Sequence, residues 1–424
     1  MNKKCIFKIF FIFIICISIS PKIFADDFLE DSISNDDLSE IQTSSDVSNI
    51  PKINARHAVI YDRASSTILY GKSENEQCKM ASTTKIMTAI VVLEKVQNLD
   101  ELVTISKKAA GTGGSRLGLS TNDKITVENL LYGLMMRSGN DAAVALAEYV
   151  GGSIENFSIL MNDKALSLSL ENTHFVTPHG LDNDDHYTTA YELAKLTDYA
   201  LLNKTFAKIV NTQSHTIYIN NSPQTLSNTN ELLGNLNGVY GVKTGFTNGA
   251  NRCLVTSCKR GNLDIICVVL GCDTKKDRTK DSINLINYIF DNYTMVNVEN
   301  IILKDFNNWK INHLNSFTIN KGINSNIDLE LNISEIPYSN IAINKNNVDT
   351  ISTSITFNPY FEAPLPYNTI LGKLVLKISD TKYFEINILN KNEIKKKNFF
   401  DYWFYFIINY FNIQNTNLSN NTYS

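Results

Sequence analysis

Three short polar motifs in a fixed order constrain the fold of this chain more than any other feature. They are Ser82-Thr83-Thr84-Lys85, Ser138-Gly139-Asn140 and Lys243-Thr244-Gly245. Each motif alone is a weak signal, because such short patterns occur by chance in a chain of 424 residues. In this order they predict a fold that brings a helix start, a loop between helices and a strand to one cleft. The catalytic candidates are Ser82, Lys85, Ser138, Asn140 and Lys243.

The first motif precedes a run of apolar residues with helical spacing. Positions i and i+3 of a helix are neighbours, so Lys85 returns beside the hydroxyl of Ser82. A serine hydroxyl needs an adjacent base to take its proton, and a lysine is such a base only when uncharged. Burial and the nearby charge of Lys243 would both lower its pKa. We therefore expect Ser82 as nucleophile, Lys85 as general base and the helix start as a source of oxyanion-binding N–H groups. For this motif alone, the alternative is a buried helix start with a lysine that reaches solvent.

The second motif lies between two predicted helices. Thr126 is suited to cap the first helix, and Gly151-Gly152 is suited to end the second. A short loop between them projects Ser138 and Asn140 into the cleft. We expect Ser138 to relay a proton to the leaving group and Asn140 to bond both the substrate backbone and Lys85. Taken alone, Ser-Gly-Asn is better interpreted as an ordinary turn.

The third motif lies in a predicted strand, with Gly245 at a position where a side chain would obstruct a neighbour. An extended peptide can pair with the edge of such a strand through main-chain hydrogen bonds. Lys243 and Thr244 would face the reacting centre or a substrate carboxylate, and the N–H of Phe246 is a second oxyanion donor. The substrate-binding candidates here are Lys243, Thr244, Gly245, Phe246 and Thr247. For K-T-G alone, a solvated edge strand with a protective lysine is as good an interpretation.

From Ala55 to Tyr293 the chain resembles the serine-type D-alanyl-D-alanine carboxypeptidases, which are low-molecular-weight penicillin-binding proteins. Beyond the three motifs, four stretches match the family pattern: Met161-Asn162, Gly180-Leu181, His186-Tyr187-Thr188-Thr189-Ala190 and Cys253-Leu254-Val255. The resemblance implies a two-lobed β-lactamase/transpeptidase-like domain, in which an antiparallel sheet with flanking helices adjoins a helical lobe. The order of predicted strands and helices agrees with that fold class.

The resemblance also implies an activity and a further binding residue. Such enzymes act on the D-Ala-D-Ala end of cell-wall stem peptides through an acyl-serine, and β-lactam antibiotics acylate them. Arg278 corresponds to a basic residue that holds the terminal carboxylate, although an exposed loop arginine is the safer interpretation of the sequence alone. The chain departs from the family at Met80, commonly proline, and at Thr177, commonly asparagine. Both departures concern loop detail rather than the catalytic groups.

Two other functions remain open from the sequence. A β-lactamase shares the three motifs, and in class A enzymes a dedicated glutamate handles the deacylating water. The glutamates between Asn140 and Lys243 have no setting that recommends them for that task. The second alternative is a catalytically silent wall-binding protein, against which the intact set of reactive groups argues.

The sequence predicts five segments. Residues 1–25 have the charged, apolar and small-residue pattern of a secretory signal, and 26–50 form a flexible acidic linker. The peptidase domain covers 51–294, and alternating apolar residues predict a small all-β domain, a β-sandwich, over 295–392. The tail, 393–424, combines lysines with aromatic residues and suggests an in-plane membrane anchor. A terminal helix packed on the β domain is nearly as good an interpretation of this tail. We expect an exported protein attached to the outer face of the cytoplasmic membrane.

Composition narrows the range of partners. A formal net charge of −4 gives no reason to expect nucleic-acid binding. No metal or cofactor motif is present in the sequence, so we expect neither. Outside the predicted signal the cysteines are Cys78, Cys253, Cys258, Cys267 and Cys272. Four of them lie in two apolar, strand-like runs, which favours small buried hydrophobic side chains, although a single disulfide bridge stays open. The expected partners are a D-Ala-D-Ala stem peptide, β-lactams and, through the tail, a membrane surface.

Overall fold

The structure is a computed structural model that describes residues 50–313, 317–323, 326–378 and 383–420. The predicted signal peptide and all but the last residue of the predicted linker lie outside the described residues. The chain divides between Asp291 and Asn292 into two units, which are described separately. The predicted boundary followed residue 294, and the observed one falls three residues earlier, in the last turn of a helix that ends at Asn292.

Unit 1 is built on a five-stranded antiparallel sheet with strand order β2-β1-β9-β8-β7. Almost every side chain of β8 and β9 is buried, on both faces of the sheet. The strands at its two ends, β2 and β7, each have one open edge. The strands of unit 1 are β1 (His57–Asp62), β2 (Thr67–Lys72), β3 (Leu102–Thr104), β4 (Lys124–Thr126), β5 (Ser214–Ile219), β6 (Ser222–Ser227), β7 (Val239–Thr247), β8 (Asn251–Arg260) and β9 (Leu263–Cys272).

Helices of unit 1 supply the second part of its core. Thr126 caps α3 by accepting from the N–H of Asn129 at 3.2 Å, as its position in the sequence predicts. Gly152, with φ +74°, ends α4 in the left-handed conformation that glycine favours. The helices are α1 (Lys85–Lys95), α2 (Lys107–Ala110), α3 (Val127–Met136), α4 (Asn140–Gly151), α5 (Ile154–Ser167), α6 (Ala190–Leu202), α7 (Lys204–Val210) and α8 (Lys275–Asn292).

Apolar side chains of α1 and α3 to α7 pack with those of the sheet in one continuous core. Helix α1 is among the most enclosed of them, since its residues from Lys85 to Val92 are all buried. Lys85, the first residue of this helix, is therefore buried, and burial disfavours the charged form of its amine. Cys253, Cys258, Cys267 and Cys272 are buried free thiols in β8 and β9, and the partly buried Cys78 is also free.

Unit 2 contains a four-stranded sheet of order β12-β17-β16-β14 and two two-stranded sheets, β10-β13 and β11-β15. Leu329 and Leu331 of β12, and Ile386 and Ile388 of β17, alternate inward as the sequence predicts. The strands are β10 (Tyr293–Asn297), β11 (Thr318–Asn320), β12 (Leu329–Leu331), β13 (Asn340–Asn344), β14 (Ser352–Phe357), β15 (Tyr360–Glu362), β16 (Ile370–Lys377) and β17 (Tyr383–Asn390).

Two helices add to the strands of unit 2. Helix α9 (Val298–His313) contributes Val298, Ile302 and Phe306 to the core of the unit, at the four-residue spacing of one helix face. The period-two pattern of the sequence did not indicate this helix, so the all-β prediction is confirmed in its strands but was incomplete. Helix α10 (Phe399–Asn420) covers most of the basic-aromatic tail.

Candidate active site

The nucleophile candidate Ser82 lies in a 3-10 turn, Ala81–Thr84, that leads directly into α1. Ser82 is 9% exposed. Ala81 has φ +49°, a left-handed conformation that is unfavourable for a residue with a Cβ. Gly180 packs against this turn so closely that a Cβ there would lie 1.9 Å from the carbonyl oxygen of Ala81. The turn is therefore held in a strained conformation by its surroundings.

Lys85 is fully buried, and its amine has three close oxygen neighbours. Nζ lies 2.7 Å from Ser82 Oγ, 2.7 Å from Asn140 Oδ1 and 2.9 Å from the carbonyl oxygen of His179. Burial lowers the pKa of Lys85 well below its ordinary value, and the charge of Lys243 lowers it further, against a smaller opposing effect of Asp141. No carboxylate is among the three neighbours, so the surroundings favour the uncharged amine.

The uncharged amine can serve these three neighbours in only one way. It has two N–H donors and one lone pair. The oxygens of Asn140 and His179 can only accept, so they take both donors. The lone pair is left to face Ser82, whose hydroxyl then donates to it. This is the arrangement in which Lys85 removes a proton from Ser82.

The second motif turns into α4 beside Lys85. Asn140 Nδ2 donates to the carbonyl oxygen of Gly113 at 2.8 Å, so Asn140 joins the glycine-rich loop, residues 111–119, to Lys85. Ser138 is 4% exposed and has φ +59°. Asp141, which sequence reasoning did not select, is fully buried, and its carboxylate accepts from the N–H groups of Leu117, Gly118 and Leu119. The glycine-rich loop is therefore bound to the start of α4.

The third motif lies in β7, at the open edge of the sheet. A Cβ at Gly245 would lie 3.0 Å from the backbone nitrogen of Ser82, so glycine is favoured at this close approach of strand and nucleophile turn. Lys243 is 1% exposed, and its amine donates to the carbonyl oxygen of Thr244 at 2.8 Å. Thr244 Oγ1 donates to Thr229 Oγ1 at 2.8 Å. Thr229 is a second residue that the motif analysis missed.

The last two residues of this set are turned toward different neighbours. The ring of Phe246 lies against the guanidinium of Arg252, with 3.5 Å between the guanidinium carbon and the ring centroid. The hydroxyl of Thr247 donates to Asp182 Oδ1 at 2.6 Å, and the N–H of Gly249 donates to Asp182 Oδ2 at 2.9 Å. Asp182 thus joins β7 to the loop that carries His179.

Arg278 has a different setting from the one that the sequence alone favoured. It lies in the first turn of α8, not in a loop, and it is fully buried. Its guanidinium forms an ion pair with Glu231, which also accepts from the hydroxyl of Thr279. The interpretation of Arg278 as an exposed loop arginine was wrong, because a helix already begins at Lys275.

The geometry defines a class of enzyme. A buried serine hydroxyl beside a lysine amine in its uncharged form, next to an open strand edge, is the equipment of a serine hydrolase or transferase that works through an acyl-enzyme.

The comparisons with known proteins agree with this class. Residues 43–274 match the Peptidase_S11 family, described as D-alanyl-D-alanine carboxypeptidase. The D-alanyl-D-alanine carboxypeptidase DacF of Bacillus subtilis (strain 168) is 33% identical over 351 residues, which cover 81% of this chain and 87% of that protein. The chain belongs to the Peptidase_S11 family of D-alanyl-D-alanine carboxypeptidases.

Solved structures show the same fold. The Streptomyces K15 DD-transpeptidase is 37% identical with a TM-score of 0.55, over 57% of this chain and 99% of that one. Penicillin binding protein 5 from Haemophilus influenzae is 27% identical with a TM-score of 0.64, over 82% of this chain and 99% of that one. The predicted penicillin-binding fold of unit 1 is thereby confirmed.

Proposed function

We propose that this chain is a serine D-Ala-D-Ala carboxypeptidase that removes the terminal D-alanine from peptidoglycan stem pentapeptides and is acylated by β-lactams. The observation that carries the proposal is the 2.7 Å contact between Lys85 Nζ and Ser82 Oγ in a fully buried setting. The family membership of the chain supports the same reaction.

In the proposed acylation, Lys85 takes the proton of Ser82 as Oγ attacks the carbonyl carbon of the penultimate D-alanine. The C–N bond to the terminal D-alanine then breaks, and Ser138 passes a proton to the leaving amine. The N–H groups of Ser82 and Phe246 stabilise the oxyanion. Water subsequently attacks the acyl-serine and releases the shortened peptide, so that Ser82 regains its proton.

Substrate binding is assigned to the edge of β7. The peptide pairs with the strand at Gly245 through main-chain hydrogen bonds, while Lys243 and Thr244 contact its terminal carboxylate. Thr247 is assigned to the end of the same edge. Arg278 is kept as a carboxylate-holding candidate on the strength of the family resemblance alone, and its ion pair with Glu231 means that it would act from a buried position.

The test combines two readouts on one preparation. We expect a fluorescent penicillin to label Ser82, with the adduct located by mass spectrometry, and a pentapeptide ending in D-Ala-D-Ala to release D-alanine. Ser82→Ala should abolish both, and Lys85→Arg should do so as well, because an arginine cannot act as a base. The matched control is Ser65→Ala, a buried serine of the β1–β2 turn that bonds Asp62, which should keep both activities.

Other outcomes point to the alternative functions. Rapid turnover of penicillin without peptide cleavage would identify a β-lactamase. A folded wild-type protein that neither takes the label nor cleaves the peptide would leave only a wall-binding role. Transfer of the acyl group to an added D-amino acid or amine would show a transpeptidase activity of the same acyl-enzyme.

We further propose that the chain is exported and that its tail attaches it to the outer face of the cytoplasmic membrane. Within the described residues, α10 is not apolar enough over a sufficient length to span a bilayer, nor is any other helix. Its first part, however, exposes aromatic side chains around the whole helix: Phe399, Phe400, Tyr402, Trp403, Phe404, Tyr405, Phe406 and Tyr410. Lys395 and Lys396 next to it are exposed too. Aromatic residues favour the membrane interface, and lysines favour anionic headgroups.

Vesicle binding tests the proposed attachment. The full chain should co-sediment with vesicles that contain phosphatidylglycerol and bind neutral vesicles less. Phe404→Asp with Phe406→Asp should abolish sedimentation while leaving penicillin labelling intact. Equal sedimentation of this variant and the wild type would contradict the attachment without touching the enzymatic proposal.

A further inference from the structure

A buried histidine beside the nucleophile turn has no part in the proposed mechanism. His186 is 2% exposed, and its ring meets that of Phe175 edge-on, with 5.7 Å between centroids. Its Nδ1 accepts from the N–H of Val176 at 3.0 Å, and its Nε2 lies 2.8 Å from Thr84 Oγ1. Thr84 is the last residue of the nucleophile turn and directly precedes Lys85. The histidine thus contacts the turn from behind.

The hydrogen bonds of His186 have a defined direction. Burial, with neighbouring His174 as a smaller cause, lowers the pKa of His186 to about 4, so the ring is neutral at neutral pH. A neutral imidazole has one donor nitrogen and one acceptor nitrogen. Since the N–H of Val176 occupies Nδ1 as acceptor, Nε2 carries the proton and donates to Thr84. The hydroxyl of Thr84 donates onward to the carbonyl oxygen of Ala81, at 2.7 Å.

This chain of donors ends on the peptide group that contains the N–H of Ser82. The carbonyl of Ala81 and the N–H of Ser82 belong to one planar trans peptide, so they point in opposite directions. A bond that fixes the carbonyl therefore fixes the N–H as well. This hydrogen bond is important because Ala81, at φ +49°, has an unfavourable conformation that the backbone would not keep without such a bond. Donors on the carbonyl also polarise the peptide and strengthen its N–H as a donor.

The N–H that is fixed in this way lies at the substrate edge. A Cβ at Gly245 would come within 3.0 Å of the Ser82 nitrogen, so that nitrogen faces β7. We propose that His186, acting through Thr84, is a positioning residue that orients the oxyanion-binding N–H of Ser82. The inference rests on the proposed function, because it presupposes acyl transfer at Ser82.

The test separates oxyanion stabilisation from nucleophile geometry. The probes are a depsipeptide ending in D-alanyl-D-lactate and its thionoester, in which sulfur replaces the scissile carbonyl oxygen. Sulfur is a poor hydrogen-bond acceptor, so an intact oxyanion site prefers the oxygen ester. Removal of an oxyanion donor costs about 10²–10³ in kcat. A donor that is displaced rather than removed should cost less, about 10-fold.

Thr84→Val and Thr84→Ser form the matched pair, because valine keeps the shape of the side chain without its hydroxyl, whereas serine keeps the hydroxyl and loses only the methyl group. We expect Thr84→Val to lower kcat for the oxygen ester about 10-fold with little change in KM, and to lower the thionoester rate much less. Thr84→Ser should retain the wild-type preference for oxygen. His186→Gln should resemble Thr84→Val, and the double variant should be no worse than either, because the two residues act in series.

Equal losses for both esters in Thr84→Val, or no loss at all, would overturn the inference. Thr84→Val and Thr84→Ser decide the matter even where His186→Gln does not fold. A wild-type enzyme that acylates neither ester would refute the proposed function, and this inference with it. A wild-type enzyme that acylates both, with a preference that Thr84→Val leaves unchanged, would refute the inference alone.

Discussion

Asp141→Asn tests how the glycine-rich loop is held to the start of α4. The Asp141 carboxylate is fully buried at the start of α4. Oδ1 accepts from the N–H groups of Leu117 at 2.8 Å and of Ala142 at 2.9 Å. Oδ2 accepts from those of Gly118 at 2.8 Å and Leu119 at 3.0 Å. One side chain thus satisfies four backbone donors, three of them in the glycine-rich loop.

The cost of the substitution follows from these four bonds. Asparagine replaces one oxygen with an NH₂ group, so either orientation of the amide leaves two backbone N–H groups facing a donor. A hydrogen bond to a charged group contributes about 1.5–3 kcal/mol, so two lost bonds cost about 3–6 kcal/mol. Loss of a negative charge at a helix N-terminus adds about 0.3–1 kcal/mol. Native domains are stable by only about 5–15 kcal/mol, so unit 1 should be close to unfolding.

The assay must report on unit 1 alone, since the chain has two units. We would equilibrate the protein in urea and follow the fraction that still takes a brief pulse of fluorescent penicillin. The control is Asp123→Asn, which removes the same charge from a partly exposed position where the carboxylate accepts from Ser120 N–H. The control should lose about 1 kcal/mol or less. An unfolding free energy of Asp141→Asn within 1 kcal/mol of the wild type would refute the reasoning.

Three further predictions concern two residues of β7 and the ion pair between Arg278 and Glu231. Gly245→Ala should lower kcat/KM about 100-fold, because a methyl 3.0 Å from the Ser82 nitrogen separates β7 from the nucleophile. Gly261→Ala is the control: its methyl meets no atom within 4 Å, and the backbone strain at φ +59° is confined to the turn between β8 and β9, so activity should not change. Equal activities of the two variants in steady-state assays would contradict this. Lys243→Met removes a charge that lowers the pKa of Lys85, so the pKa of Lys85 should rise. The acidic limb of the pH profile for acylation by penicillin should therefore move to higher pH, and an unshifted limb would contradict this prediction. Glu231→Gln removes the carboxylate that pairs with the buried guanidinium of Arg278, so urea unfolding should show a loss of about 3 kcal/mol in the free energy of unfolding. An unchanged free energy of unfolding would contradict this prediction.

Local spacing was enough to predict part of this site. Ser82 and Lys85 meet because residues three apart share one side of a helical turn, whatever the rest of the chain does. The hairpin of β8 and β9 was predictable in the same way, from two apolar runs joined by a short turn at Gly261. The helix cap at Thr126 is also a local property of the sequence.

Contacts between distant segments could not be predicted from spacing. Asp141 follows the second motif directly, but the loop that its carboxylate holds is more than twenty residues earlier in the chain. His186 meets Thr84 across an even longer separation, and nothing in either segment indicates the pairing. Residues Lys275 to Asp281 lack an apolar face, so the sequence did not indicate that α8 begins at Lys275, and Arg278 was interpreted as a loop residue.

The charge state of the Lys85 amine is the most direct test of the proposed mechanism. The ¹³Cε resonance of Lys85, assigned by comparison with Lys85→Arg, reports the protonation of the amine as pH changes. The mechanism requires a transition well below the ordinary lysine pKa of ~10.4, and a shift of that transition upward in Lys243→Met. A resonance that keeps the position of a charged ammonium until pH approaches the ordinary value would show that Lys85 is not the base.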